Sequence, residues 1–520
     1  MAGTRGSAAG VSTWLLSRFF SGAPWREPVA GRSAGFVSVI VVGLIAATLA
    51  VEARNLPGKP LLLMIGVLSM VPLAAVTRLT KPLLLATWIF SLTYFRVEFP
   101  IPSMAGFQGF YVTAADGVFL LVLAFWIYET TVARRLTLAL PDKLDSGMTV
   151  FILPLLLVCF ISALLALRTD WSMYEVIRIA KIPIFLLYCR HNIGKREFWV
   201  CLAALGLMII VQTSLGVLQL RGVLGNYQQE AWAPEPRPNG TLAHASIFSG
   251  YMVLLMPVFA SLAVTLPNRL LQAASAAAAF MGLVGIALTQ SRIPWALAIL
   301  ELVAVAVFLV VLKIIPIKRA IAVLALGGVL GGLALIPLLS RIQRRIASDF
   351  DTAVNWRLKM NEVGFGIFKS HPFFGIGLAN FPLYLRDTDL EFADSLDDAF
   401  SGVYNRPGTE AAPVKGFHWV WVPHNIYILL LAEIGSLGLL AFLFFVGKAL
   451  VAGVHALRVR DPLYASAAAG LFIGVCAALV ENVADWALWL DPVLYTWILA
   501  IALLRNMPDF LRTQTIDKAA

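Results

Sequence analysis

Apolar runs of about 20 residues recur along this chain with hardly a pause, and a run of that length lets an α-helix cross the hydrocarbon core of a bilayer. Candidate spans fall near 36–51, 61–76, 83–99, 112–133, 148–167, 172–189, 197–220, 246–265, 270–289, 293–312, 320–339, 425–447, 463–480 and 491–505. In hydrocarbon every backbone N–H and C=O must be satisfied within the protein, so runs of this kind fold as helices. The expected fold class is an all-α polytopic membrane protein with about 14 transmembrane helices and one long loop containing amphipathic helices. The expected organisation is a tail over 1–34, helices 1–11 over 35–339, the long loop over 340–424, helices 12–14 over 425–505 and a tail over 506–520.

Composition agrees. Hydrophobic residues make up 59% of the 520 and charged residues 13%, about half the charge of a soluble domain. The net charge of +10 would suit nucleic acid if it were clustered, but its placement follows membrane topology instead. With the N-terminus inside, the inner segments carry 22 Lys and Arg and the short outer loops 7, the asymmetry of the positive-inside rule. Long loops are exempt from that rule, and 340–424 carries a further 9. Nucleic acid is thus not an expected partner; membrane lipids are. The four cysteines, Cys159, Cys189, Cys201 and Cys476, lie in apolar runs without a CxxC pair, which speaks against disulfides and thiolate metal sites.

Three outward-facing segments can carry chemistry. The loop 221–245 closes on Arg237-Pro238-Asn239-Gly240-Thr241, a turn running into a helix start. Arg292 in Thr289-Gln290-Ser291-Arg292 stands in a connection too short to leave the membrane boundary, where a guanidinium needs headgroups or another anionic partner. His424 precedes Asn425 and an apolar run, at the outer mouth of a helix, and imidazole can exchange a proton near neutral pH. Two arginines and one base on the same face suit a site that holds an anionic leaving group and deprotonates an acceptor. Diphosphate fits two guanidinium forks, which pair phosphate oxygens bidentately where lysine is a point charge.

Other charges have plainer readings. Arg178 and Lys181 lie about one helical turn apart and can share a face. Glu433 is expected to meet a buried arginine or a helix end. Glu481, Asp485 and Asp491, with Trp486 and Trp489, read as an interfacial aromatic belt. The acidic stretch Asp387–Asp398 reads as a solvated face, not a cation site. His244 and His455 are expected to be structural. Asn355–Lys369 sets Trp356, Met360, Val363 and Ile367 on one apolar face, a helix lying over the mouth.

Several short motifs, in order, carry a family resemblance: Asn239-Gly240-Thr241, Thr289-Gln290-Ser291-Arg292, Asn355-Trp356-Arg357, His371-Pro372-Phe373-Phe374-Gly375-Ile376-Gly377, Pro423-His424-Asn425-Ile426-Tyr427 and Glu433-Ile434-Gly435-Ser436-Leu437-Gly438. Over roughly residues 150–450 the chain resembles the O-antigen ligase and polysaccharide polymerase superfamily. The resemblance implies an inverting, metal-independent glycosyltransferase of the bacterial inner membrane. It would move a glycan from undecaprenyl diphosphate to a sugar hydroxyl at the periplasmic face, with no cofactor. It places the general base on His424 and diphosphate binding on Arg237 and Arg292, with Arg178 and Lys181 in support. The partners it implies are the lipid-linked donor, a glycan or lipid-linked acceptor, and possible neighbours such as a flippase and a chain-length regulator. A polymerase of surface polysaccharide is favoured over a ligase to lipid A core, because the chain has more expected spans than is usual in the family. A flippase would need paired half-repeats and charges in several spans; no repeat and few such charges are found. An intramembrane protease would need a Ser–His or paired Asp site.

Overall fold

The computed structural model describes residues 80–93, 98–100, 111–132, 148–224, 237–336 apart from Ala243, 339, 340, 343, 350–388 and 422–517. The expected spans 36–51 and 61–76, the tail 1–34 and the acidic stretch from 389 onward lie outside these residues.

The helices are α1 (Thr80–Thr93), α2 (Ala114–Ile127), α3 (Met148–Leu165), α4 (Thr169–Asn192), α5 (Lys195–Leu220), α6 (Ala245–Thr265) and α7 (Arg269–Leu288). They continue as α8 (Arg292–Val311), α9 (Ile317–Leu335), α10 (Phe350–Ser370), α11 (Phe381–Thr388), α12 (Ile426–Leu457), α13 (Pro462–Glu481) and α14 (Asp491–Asp517). Two three-residue strands, β1 (Glu98–Pro100) and β2 (Tyr111–Thr113), pair antiparallel between α1 and α2, with Phe99 opposite Val112. Seven of the described helices, α3, α5, α6, α7, α8, α12 and α13, are long and apolar enough to cross a membrane. The chain is thus a helical protein of multi-pass membrane type. Expected boundaries move. The span expected at 83–99 gives a helix that ends at Thr93, with residues 98 and 99 in β1. The helix foreseen at Asn355–Lys369 runs over Phe350–Ser370. The last helix continues to Asp517 where a tail was foreseen, and Asp509 ties that extension back by accepting from Arg505 at 2.7 Å and from Arg190.

α6 lies at the centre, buried along almost its whole length between α7 and α13. Lipid is as apolar as leucine, so helices here associate through close packing and polar contacts rather than hydrophobic exclusion. The α6–α13 seam shows both. It is lined by Ala467, Ala468 and Gly470, and the Ser466 hydroxyl donates to the Ser261 carbonyl at 3.1 Å and meets Thr265 Oγ1 at 2.8 Å. Large side chains such as Leu157, Leu300 and Leu440, each about 60% exposed, point away from the bundle, as lipid-facing positions do.

One spanning helix is broken. Within α12, Gly435 adopts φ 69° and ψ −172°, which interrupts the ladder inside the apolar run. Non-helical backbone at that depth is tolerated only where protein covers it. The segment Pro372–Gly377 provides the cover. Ile376 and Gly377 donate to the carbonyls of Ala432 and Glu433 at 3.1 and 2.9 Å, and Ser436 and Leu437 donate to Pro372 and Phe373 at 2.8 and 3.3 Å. A Cβ at Gly435 would lie 2.3 Å from the Phe373 backbone. Gly435→Ala therefore combines a left-handed backbone strain with a clash against main chain, an expected destabilisation of about 2–5 kcal/mol. Detergent-extracted protein should show it as a lower unfolding midpoint; an unchanged midpoint would mean that the break is dispensable.

Candidate active site

The first element of the site is the turn 237–244. Gln212 and Gln219, seven residues apart in apolar α5, fall on one helix face and bind this turn almost completely. Gln219 Oε1 accepts from the N–H groups of Asn239 and Gly240 at 3.1 and 2.9 Å, and its amide donates to the Gly240 carbonyl at 2.7 Å. Gln212 accepts from the Thr241 N–H at 2.9 Å and donates to the Thr241 hydroxyl at 2.7 Å. That hydroxyl donates on to the Thr93 carbonyl at 2.6 Å. Gly240 has φ 60°, and a Cβ there would meet Gln212 Oε1 at 2.3 Å, so the turn needs glycine. His244 caps α6, accepting from the Ser246 N–H, the structural role expected of it.

The clamped turn presents Arg237. The guanidinium is buried, at 7% exposure, and reaches across to the connection between α7 and α8. Its Nε donates to the Thr289 carbonyl and its Nη2 to the Ser291 hydroxyl, both at 2.7 Å. Gln290, between them, takes a positive φ of 54°. Arg292 opens α8 directly after Ser291, half-buried. The structure thus joins the two segments that the sequence offered separately as sources of arginine.

The second element is the mouth of α12. Asn425 caps that helix, its side chain accepting from the N–H groups of Tyr427 and Ile428. The Ile426 N–H is shared by the carbonyls of Asn482 and Asp485 at 3.0 and 3.2 Å, which fixes the helix start against the turn between α13 and α14. Asn482 holds that turn by accepting from Leu488 N–H at 2.8 Å. The outcome is that His424, its side chain 30% exposed, stands with Nδ1 3.8 Å from Asp485 Oδ1. That separation is beyond hydrogen-bond length, and the two form a charge pair when the imidazole carries a second proton. Burial pushes the Asp485 carboxyl up, yet His424 beside it, the Trp486 N–H at 2.7 Å and the charge of Arg357 outweigh burial and hold it at about 2. An ordinary aspartate titrates near 3.9, so the stability this carboxylate contributes is present above about pH 4 and is lost as the pH falls through about 2. Asp485 is an anion throughout the neutral range. Its sequence context, between Glu481 and Asp491 with Trp486 and Trp489, predicts only an interfacial aromatic belt.

The two elements flank the first turns of α6. Phe248 and Pro238 both lie against Gly216, while Gly250 faces the Glu481 carboxylate and Ala487. A third element, α10 with the 371–381 turn, covers the α12 mouth. Met360, Val363 and Ile367 pack with Phe381, Val422 and Leu429 in a small core of their own. Glu433, as expected, meets a helix end: its carboxylate accepts from the Phe381 N–H at 3.3 Å at the start of α11.

Arg178 and Lys181 lie on one side of α4, and both have carboxylate partners. Arg178 donates to Glu175 at 2.5 Å, to Asp491 at 2.7 Å and to the Trp489 carbonyl at 2.8 Å. Lys181 pairs with Asp116, with Tyr495 5.2 Å away under its ammonium. Lys181, Asp116 and Asp491 line a cavity of about 10 Å³ with Trp88 and Tyr495, room for about one water. Among the described residues no group of three or more His, Cys, Asp and Glu could hold a metal ion.

No curated protein matches the chain. Residues 276–443 match the family model described as O-antigen ligase. The matched stretch holds Arg292, α10, the 371–381 turn, His424 and the break at Gly435, while Arg237 and Asp485 lie outside it. The match is to the superfamily that the short motifs resemble, and it covers about a third of the chain.

Proposed function

We propose that the chain is an inverting glycosyltransferase that moves a glycan from undecaprenyl diphosphate to a sugar hydroxyl at the outer face of the bacterial inner membrane. The O-antigen ligase domain supports transfer of ligase or polymerase type, and the observation that carries the mechanism is His424 facing an ionised Asp485 at the α12 mouth. His424 takes the proton of the acceptor hydroxyl as its oxygen attacks the anomeric carbon. The bond from that carbon to the diphosphate oxygen breaks, and its electron pair leaves with the diphosphate. One displacement inverts the anomeric centre. Asp485 stabilises the imidazolium that forms, and Arg237 and Arg292 neutralise the departing charge. Arg178 and Lys181 take a supporting part, with phosphate competing against Asp491 and Asp116 for their donors.

Within this class the greater number of expected spans favours a polysaccharide polymerase. The description of the matched family favours the second reading, a ligase to lipid A core. Purified chain incubated with an undecaprenyl-diphosphate glycan should release undecaprenyl diphosphate and yield a product of inverted configuration. A ladder of lengthened lipid-linked glycans marks a polymerase, and transfer only to added lipid A core marks a ligase. No release with either acceptor would defeat the proposal.

A further inference from the structure

We infer that Arg357, on the covering helix α10, binds the acceptor, and that the acceptor it selects is a glycan bearing a carboxylate or a phosphate group. The inference rests on the transfer reading given above and assigns a chemical class to the second substrate of that site.

The helix α10 carries three cations. Lys359 pairs with Glu362 at 3.7 Å. Lys369 ends the helix, where a positive charge suits the dipole. Arg357 is exposed and forms no hydrogen bond or ion pair with a described residue. At about 100° per residue it falls about 20° beyond Gly364, on the rim of the face that α10 packs on the α12 mouth. A Cβ at Gly364 would lie 2.6 Å from Ile428 and 3.4 Å from Pro423, the residue before His424. Trp356, next to Arg357, packs on the small core that also takes Val422 and Trp486. Arg357 therefore borders the mouth on the side of Asp485 and Trp486. Its charge is one of those that hold the Asp485 carboxyl down.

This rim is the acceptor's side of the site. In an inverting displacement the nucleophile meets the anomeric carbon on the face opposite the leaving group. Arg237 is tied to the connection between α7 and α8, whereas His424 and Asp485 stand together at the α12 mouth. A cation beside Asp485 is thus placed with the incoming hydroxyl and not with the departing diphosphate. Asp485 is an anion and repels an acidic acceptor. Arg357 offsets that repulsion, and its fork binds a carboxylate or phosphate through two bonds. A neutral acceptor would leave the guanidinium without an anionic partner.

The test uses the full chain in phosphatidylcholine nanodiscs at low ionic strength, with saturating undecaprenyl-diphosphate glycan as donor. The acceptor, lipid A core or lipid-linked glycan, is supplied in three forms: native, with its sugar carboxylates reduced to alcohols, and with its sugar phosphates removed. Arg357→Ala should raise the KM for the native acceptor by about tenfold or more, and Arg357→Lys should recover part of the loss. Donor affinity, read by equilibrium binding without acceptor, should stay unchanged in both variants, which also shows that they are folded. One of the two treatments should raise KM for the unsubstituted chain by a similar factor and leave that of Arg357→Ala in place, which identifies the group bound. An unchanged acceptor KM in Arg357→Ala would overturn the inference. So would native KM for both treated acceptors, or a treatment penalty of equal size with and without the arginine. Equal losses of donor and acceptor affinity would overturn it too, by moving Arg357 to the diphosphate. If the unsubstituted chain releases no undecaprenyl diphosphate, the transfer reading falls and takes this inference with it. Release that is indifferent to position 357 overturns the inference alone.

Discussion

Replacing His424 by alanine is expected to slow glycan transfer by about 10²–10⁴-fold while donor affinity stays nearly unchanged. The imidazole is partly exposed at the mouth of α12, and no helix cap or core contact depends on it: Asn425 caps the helix, and the Ile426 N–H is held by Asn482 and Asp485. A loss of turnover in folded protein would therefore report chemistry. Asp485→Asn supplies the companion measurement. It takes from the site the anion that faces the imidazolium formed as the acceptor loses its proton. Turnover should fall by less than in His424→Ala, with donor affinity nearly unchanged. Near-native turnover in purified His424→Ala would remove the base from the mechanism. Unchanged turnover in Asp485→Asn would remove Asp485 from it.

The arginines are expected to act on binding as well as rate. Arg292→Ala and Arg237→Ala should each weaken donor affinity by roughly 10–150-fold, the loss of about 1.5–3 kcal/mol for a hydrogen bond to a charged group. Lysine should rescue Arg292 better than Arg237. Arg292 opens a helix, and a point charge there keeps part of its effect. Arg237 spends Nε on the Thr289 carbonyl and Nη2 on Ser291, and one ammonium cannot reproduce that fork. Arg237→Ala should also lower thermal stability, since it leaves a buried carbonyl without its donor. Equilibrium binding of the lipid-linked donor to purified, folded variants decides the matter. Normal donor affinity and specific activity in both alanine variants would mark the arginines as anchors of fold or headgroup.

The parts of this molecule legible in the sequence were those encoded by runs and by spacing. Apolar length located the helices from Thr80 onward, and the apolar face of Asn355–Lys369 foretold α10 and its packing on the α12 mouth. Positive charge in short outer connections picked out Arg237 and Arg292, which the fold joins through Ser291. What stayed hidden depends on contacts between distant segments. Asp485 is set beside His424 by backbone bonds from Ile426 to the 482–485 turn, a pairing across 60 residues that no local pattern announces. The clamp by Gln212 and Gln219 did leave a trace, since two amides seven residues apart in an apolar run share a face and want buried partners. The charge partners of Arg178 were equally invisible, because Asp491 belongs to a helix more than 300 positions away along the chain.

The break in α12 also constrains how the protein can be made. The amides and carbonyls freed around Gly435 are closed by residues 372–377, a segment translated before the helix it completes. When the insertion machinery receives α12, the turn that covers it must already be waiting on the side where the break will settle. If the cover arrived late, the helix would face hydrocarbon with open backbone groups, each costing several kcal/mol. Assembly of this domain therefore has a direction in time, from the 371–381 turn to α12, and a permuted gene that reversed their order would present the membrane with the break first.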